Sequence, residues 1–260
     1  CNMNAIMDIA ARYNLHVIED AAHATGAEYD EHRIGSLNDI SCFSFYAIKN
    51  MTTGEGGMVT LQDDAIANRL RRLRLHGISR DAWKRYQVTG SWYYEIEELG
   101  FKYNMTDIQA AMGLVQLRKL DTFINKRREQ ARYLCSRLEK LPQIRLPRER
   151  AGIRHAWHLF PILLDLKALR VDRSHFMEAM SAERIGTSVH FIPLHMHPLF
   201  QQRFGYKPGD FPVADSVYEA IISLPLYPKL TQEDLDDVAA AVTKAWRISG
   251  RSEKPSRVAS

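Results

Sequence analysis

"ISCFSFYAIKNMTTGEGGMVTL", residues Ile40 to Leu61, holds a single lysine between two apolar runs. The first run, Ile40–Tyr46, is apolar on both faces, the pattern of a strand buried inside a covered sheet. "GGMVTL" reads as a second strand, and between the two lies a turn with Gly54, Gly56 and Gly57 around Glu55. Lysine at a strand end ordinarily snorkels to the surface. Here the strand before Lys49 is too apolar for an exposed edge, and the glycine turn after it would let backbone approach a ligand closely. An amine in such a place is a candidate for a Schiff base with a carbonyl, because burial lowers its pKa and frees the lone pair.

Upstream, Ala5–Tyr13 has helical spacing and "LHVIED" is a short strand ending in two acids. Helix followed by strand is the second half of a βαβ unit. Asp20 falls at the carboxyl end of that strand, where ligands of open α/β sheets bind. It could cap the next segment. If it faces a pyridine nitrogen instead, its charge keeps that nitrogen protonated and the ring becomes an electron sink, as pyridoxal phosphate enzymes require.

Downstream, "DDAIANRLRRLRLHG" is a helix with acids at its start and Gly77 after its end. Ile78–Gly100 is aromatic and aperiodic, the pattern of a long loop. Its Trp83, Tyr86, Trp92, Tyr93 and Tyr94 suit either closure over a substrate or packing at a subunit surface. A helical pattern resumes at Thr106 and runs to Leu141, with a break expected near Leu120. "AWHLFPILL" reads as a strand, "DRSHFMEAMSAERIG" as a helix capped by Asp172, "TSVHFIPL" as a strand, and the last helix is capped by Thr231. The fold class is α/β: a large domain over residues 1–121, a smaller α+β domain over 122–249, and a frayed tail over 250–260.

The 260 residues are 45% apolar and 25% charged with a net charge of +4, an ordinary globular composition. The basic clusters Arg69–Arg74 and Lys126–Arg132 sit in helical patterns and read as solvated faces, so no nucleic-acid partner is expected. No apolar run approaches the roughly 18–20 residues of a membrane span, and no signal peptide is recognised. Cys1, Cys42 and Cys135 form no metal spacing and fit a reducing cytosol, with Cys42 as a small buried apolar residue. A cytoplasmic protein without metal or membrane is the expectation. "NMNAIMDIAARYN" reads as a helix already in mid-course, so the chain is expected to continue something longer.

"IEDAAHATGAEY", "GS…CFSFYAIKNMTTGEGGMV" and "RLRLHG" together resemble the DegT/DnrJ/EryC1/StrS family of sugar aminotransferases. Within it, "EDAAHATG", "AIKN", "KYN", "AWHLF" and "VHF" are most similar to the UDP-4-amino-4-deoxy-L-arabinose–oxoglutarate aminotransferase branch. The similarity runs from about residue 1 to 248. It implies the type I aminotransferase fold, bound pyridoxal 5'-phosphate, and a homodimer with active sites at its interface. It also implies amino transfer from glutamate, giving 2-oxoglutarate, to a keto group of a nucleotide-linked sugar for polysaccharide, lipopolysaccharide or amino-sugar biosynthesis. Dehydratase relatives carry histidine at the position of Lys49, so the lysine favours transamination.

Carried over by position, Lys49 would hold the cofactor and shuttle the proton, and Asp20 would pair with the pyridine nitrogen. His23 would lie beside the ring and Ser44 would reach the phosphate. Asn104 in "GFKYN" would reach the partner subunit's phosphate, with Lys102 as the alternative, and His195 would line the sugar pocket. The family's preceding segment normally supplies a phosphate-binding turn and a ring-stacking aromatic, and neither is in this sequence. The expectation is therefore a fragment with weak cofactor binding and little turnover alone. A non-catalytic remnant that pairs with a full-length partner is the alternative.

Overall fold

The computed structural model describes residues 1–36, 40–79 and 93–250. Trp83, Tyr86 and Trp92 of the aromatic segment lie outside the described residues, as do residues 251–260 of the expected tail. The chain divides into two compact units, Cys1–Thr122 with Ala151–Ala156, and Phe123–Arg150 with the chain from Trp157 onward. Residues 151–156, expected in the small domain, thus belong to the first unit.

In the first unit, helix α1 (Met3–Tyr13) opens on Asn2, whose side chain accepts from the Ala5 amide, and ends where Asn14 turns left-handed at φ 51°. The chain then enters β1 (Ile18–Asp20). A hairpin, β2 (Glu28–Tyr29) and β3 (His32–Arg33), precedes β4 (Ile40–Ser44) and β5 (Gly57–Leu61). β4 lies between its neighbours, parallel to β1 and antiparallel to β5. Its central place explains the apolar run, although its burial is uneven. Ser41 is buried, while Cys42 and Phe43, expected to be fully covered, are half-buried.

Helix α2 (Asp64–Leu73) is capped by Asp63, which accepts from the Ile66 amide. Helix α3 (Asp107–Leu138) is uninterrupted over 32 residues, so the break expected near Leu120 does not occur. Leu120 is itself buried at 3% exposure, a core contact and not a helix stop. The expectation failed because no Gly or Pro stands there to end the hydrogen-bond ladder.

The second unit has its own sheet, in the order β6 (Ile144–Arg145), β8 (Phe160–Leu164), β9 (Ile221–Leu224), all antiparallel. β7 (Ile153–Arg154) belongs to the first unit and pairs with β2. Phe160, Ile162 and Leu164 alternate into the core, as a half-covered strand requires. They meet Phe176 and Met180 of α4 (Arg173–Ala182) and Leu235, Val238 and Val242 of α7 (Gln232–Ser249). Asp172 caps α4, and Thr231 forms a reciprocal capping box with Asp234 at the start of α7. The sequence expectation missed α5 (Pro198–Phe204) and α6 (Pro212–Ala220), each opened by a proline in the first turn.

"TSVHFIPL" is not a strand. Only Ser188 pairs, as an isolated bridge to Ser223, and Phe191, Ile192 and Leu194 are exposed. Arg127 lies buried in the same unit with its Nη1 donating to the carbonyls of Trp157 at 3.1 Å, His158 at 3.3 Å and Leu226 at 2.7 Å.

Candidate active site

β1 and β4 end side by side, and their ends carry the two groups the sequence singled out. Asp20 pairs in register with Cys42, and Ser44 stands two residues further along β4. Side chains of paired residues, and of residues two apart, share a face of a sheet. Asp20, Cys42 and Ser44 therefore line one face at the carboxyl end of the parallel pair. Asp20 Oδ1 accepts from the Ala22 amide at 3.0 Å, which fixes the carboxylate while it stays exposed.

After Ser44 the chain makes a tight loop before returning as β5. The loop is closed at its neck by Phe45 N donating to Gly56 O at 2.9 Å and Thr53 N donating to Phe45 O at 2.9 Å. Within it, Lys49 N donates to Tyr46 O at 3.0 Å, which sets the lysine on a turn. Lys49 is half-buried. Burial holds its ammonium below the ordinary 10.5, and the nearby Asp20 carboxylate pulls it back up. Lysine and aspartate, separated by 29 residues of sequence, thus share one electrostatic site.

The glycines after the lysine also answer to the loop's own packing. A Cβ on Gly57 would stand 2.7 Å from the Phe43 carbonyl, and one on Gly56 would collide with Thr53 Oγ1. Both positions are closed by the loop's own chain, so these glycines permit the loop to close on itself. Gly54, at φ +78°, has nothing within 4 Å.

Two side chains that the sequence reading passed over pin this loop. Asn50 is 5% exposed and its Nδ2 donates to Ala156 O at 2.8 Å. Gln109 Nε2 donates to Glu55 O at 2.9 Å, while Gln109 Oε1 accepts from Thr106 N and Oγ1 at the start of α3. The T-x-x-Q capping pattern was available in the sequence at Thr106–Gln109. Nothing local announces the partner of Asn50, which lies 106 positions away.

Other expected residues are distributed as follows. His23 is exposed on the turn after β1, and Ser44 is half-buried with its Oγ accepting from the Tyr46 amide at 3.4 Å. Asn104 is half-buried, and its Oδ1 accepts from Lys102 Nζ, so the two alternatives for one role hold each other. His195 belongs to the second unit. It is 5% exposed, its Nε2 is 2.6 Å from Asp215 Oδ1, and its ring packs 4.8 Å from Phe211. That is the setting of a packed, hydrogen-bonded histidine.

A partly buried amine in the loop after β4, electrostatically coupled to the acid that ends β1, is a pair suited to holding a carbonyl cofactor on a lysine. The particular family follows from comparison. Residues 1–243 match the model of the DegT/DnrJ/EryC1/StrS aminotransferase family, and the chain belongs to it. The family depends on pyridoxal phosphate, and its known structures have the type I aminotransferase fold. The chain is 54% identical to the uncharacterized protein MJ1066 of Methanocaldococcus jannaschii over 244 residues, 94% of this chain and 63% of that protein. It is 48% identical to the spore coat polysaccharide biosynthesis protein SpsC of Bacillus subtilis over 243 residues, 93% of this chain and 62% of that one. Among solved structures, PseC of Helicobacter pylori, an aminotransferase involved in the biosynthesis of pseudoaminic acid, superposes with a TM-score of 0.86. The identity is 27%, covering 95% of this chain and 64% of PseC. The chain thus spans less than two thirds of the length of these relatives.

Proposed function

We propose that Lys49 is the lysine on which pyridoxal phosphate is held, and that the chain serves transfer of an amino group from glutamate to a keto group of a nucleotide-linked sugar. The observation that carries this reading is the Lys49–Asp20 pair, an amine of reduced basicity in the loop after β4 that is electrostatically coupled to the carboxylate ending β1. Those two groups fit the cofactor's aldehyde and its pyridine nitrogen. Once bound, the cofactor supplies an electron sink for the carbon that loses or gains the amino group.

Asp20 holds a proton on the pyridine nitrogen through its charge. Lys49, whose hold on its own proton is weakened by partial burial, would carry a proton to and from the substrate carbon. Ser44 Oγ, on the same face as Asp20, binds the phosphate, and His23 packs beside the ring. Asn104 with Lys102 serves the phosphate of a second copy, and His195 supports the sugar pocket. A second copy is proposed to cover the first turns of α3, where Ile108, Val115 and Leu117 are exposed at 79%, 46% and 54%.

The names of SpsC and PseC support a sugar as substrate. They give no support to the arabinose branch suggested by the sequence motifs, so the proposal names no sugar beyond a nucleotide-linked keto sugar. Borohydride reduction in the presence of pyridoxal phosphate tests the reading, on this chain and on one extended to its relatives' length. The expected product is a pyridoxyl adduct mapped to Lys49 by peptide mass and abolished in Lys49→Ala. An adduct on another lysine, or none on either chain, overturns it.

A further inference from the structure

Asn50 follows Lys49 directly and is nearly the inverse of it. Its neighbour is a half-buried amine, whereas Asn50 is closed off at 5% exposure with its amide on a backbone carbonyl. That carbonyl belongs to Ala156, itself 1% exposed, at the end of the short segment that carries β7 and pairs with β2. The lysine loop is therefore anchored at two points with different reach. Gln109 holds its far end at Glu55, six residues beyond Lys49, and Asn50 holds the peptide beside Lys49 itself. Between them the Lys49 amide donates to Tyr46 O in a turn. A side chain with as many rotors as lysine is aimed by its backbone, so whatever fixes residue 50 fixes where the Lys49 amine can reach.

We propose that Asn50 is a positioning residue: its hydrogen bond to the Ala156 carbonyl holds Lys49 half-buried in the loop that follows β4. The inference rests on the proposed role of Lys49 as the reactive amine. Without the anchor the loop still closes at its neck and at Glu55, while Lys49 gains water and loses its fixed approach.

The test compares Asn50→Leu, which keeps the volume and loses the donor, with Gln109→Glu, which keeps the helix cap and loses the bond to Glu55. Each removes a side-chain donor that anchors the loop, so a merely structural role predicts that both disturb the profile alike. The readout is the pH profile of borohydride-trapped pyridoxyl adduct on Lys49, with circular dichroism recorded for each variant. Positioning predicts that Asn50→Leu moves the profile to higher pH and slows trapping at pH 7.5 by about tenfold or more, while Gln109→Glu keeps the wild-type profile. Equal profiles in Asn50→Leu and wild type overturn the inference, as does an equal shift in both variants. If Asn50→Leu fails to fold, Asn50→Ser, which keeps a shorter donor, must show an intermediate shift, and a wild-type profile there overturns the inference. Absence of any adduct on wild-type Lys49 overturns the reading of the site and the inference with it, a result distinguishable from the others because no variant is involved.

Discussion

The Lys49 amine, in the loop after β4, feels the Asp20 carboxylate at the end of β1, and the acid works against burial. Burial lowers the lysine's proton affinity and Asp20 restores part of it. Removing the acid therefore has two opposite consequences. In Asp20→Asn the amine loses its attraction for a proton, so its titration moves further below 10.5 and it reacts faster with a simple aldehyde at pH 8. The same variant loses the charge proposed to hold the pyridine nitrogen protonated, so amino transfer falls by orders of magnitude. Quantitative mass spectrometry of Lys49 labelling against pH checks the first effect, and an unchanged midpoint would show that the two groups are uncoupled.

A related expectation concerns the wild type. Because Lys49 releases its proton below 10.5 in the folded chain, limited reductive methylation at pH 8.5 labels it ahead of exposed lysines such as Lys126. The sign for stability follows as well. Between the lowered folded value and 10.5 the unfolded chain binds more protons at this site, so the contribution of Lys49 to stability improves as pH rises through that window. Lys49→Met removes that slope from a series of denaturant titrations across the same range.

The turn glycines separate strain from collision. Gly54→Ala meets no atom but places a side chain at φ +78°, which costs about 1 kcal/mol. Gly57→Ala brings a methyl group to 2.7 Å from the Phe43 carbonyl, in a paired strand that cannot retreat. Overpacking of that kind costs about 1–3 kcal/mol. Gly57→Ala should therefore lower the urea midpoint more than Gly54→Ala and also disturb Lys49 labelling, because β4 pairs through the same register.

These contrasts show what could be read from the sequence. Lys49 and Asp20 were legible because each is a chemically distinctive residue at the end of a short apolar run. Capped helices were legible at Asp172 and Thr231, since the cap side chain bonds within three residues of itself. Elements whose signal is tertiary were not. "TSVHFIPL" has strand composition, yet strand propensity expresses packing on a pleated surface, and only Ser188 finds a partner there. Ile221–Leu224 forms a strand by pairing with β8, across more than fifty residues of sequence. Asn50 looks like an ordinary turn residue until its bond to Ala156 is seen.

Arg127 gives the last prediction. Its guanidinium is 5% exposed, has no acidic partner among the described residues, and serves three carbonyls from one nitrogen. Burial lowers its pKa to about 10, far enough above neutrality for the group to stay charged while the three carbonyl dipoles compensate it. Those carbonyls belong to the residues just before β8 and just after β9, so one side chain ties helix α3 to the ends of those two strands. Arg127→Leu keeps apolar volume but leaves the three acceptors without this donor, at a cost of about 3 kcal/mol or more. Arg127→Lys keeps the charge but not the planar fork, and should fall between wild type and leucine. Urea unfolding followed by tryptophan fluorescence checks the order. A leucine variant as stable as wild type would mean that the carbonyls are satisfied by other donors and that the arginine does not tie these elements together.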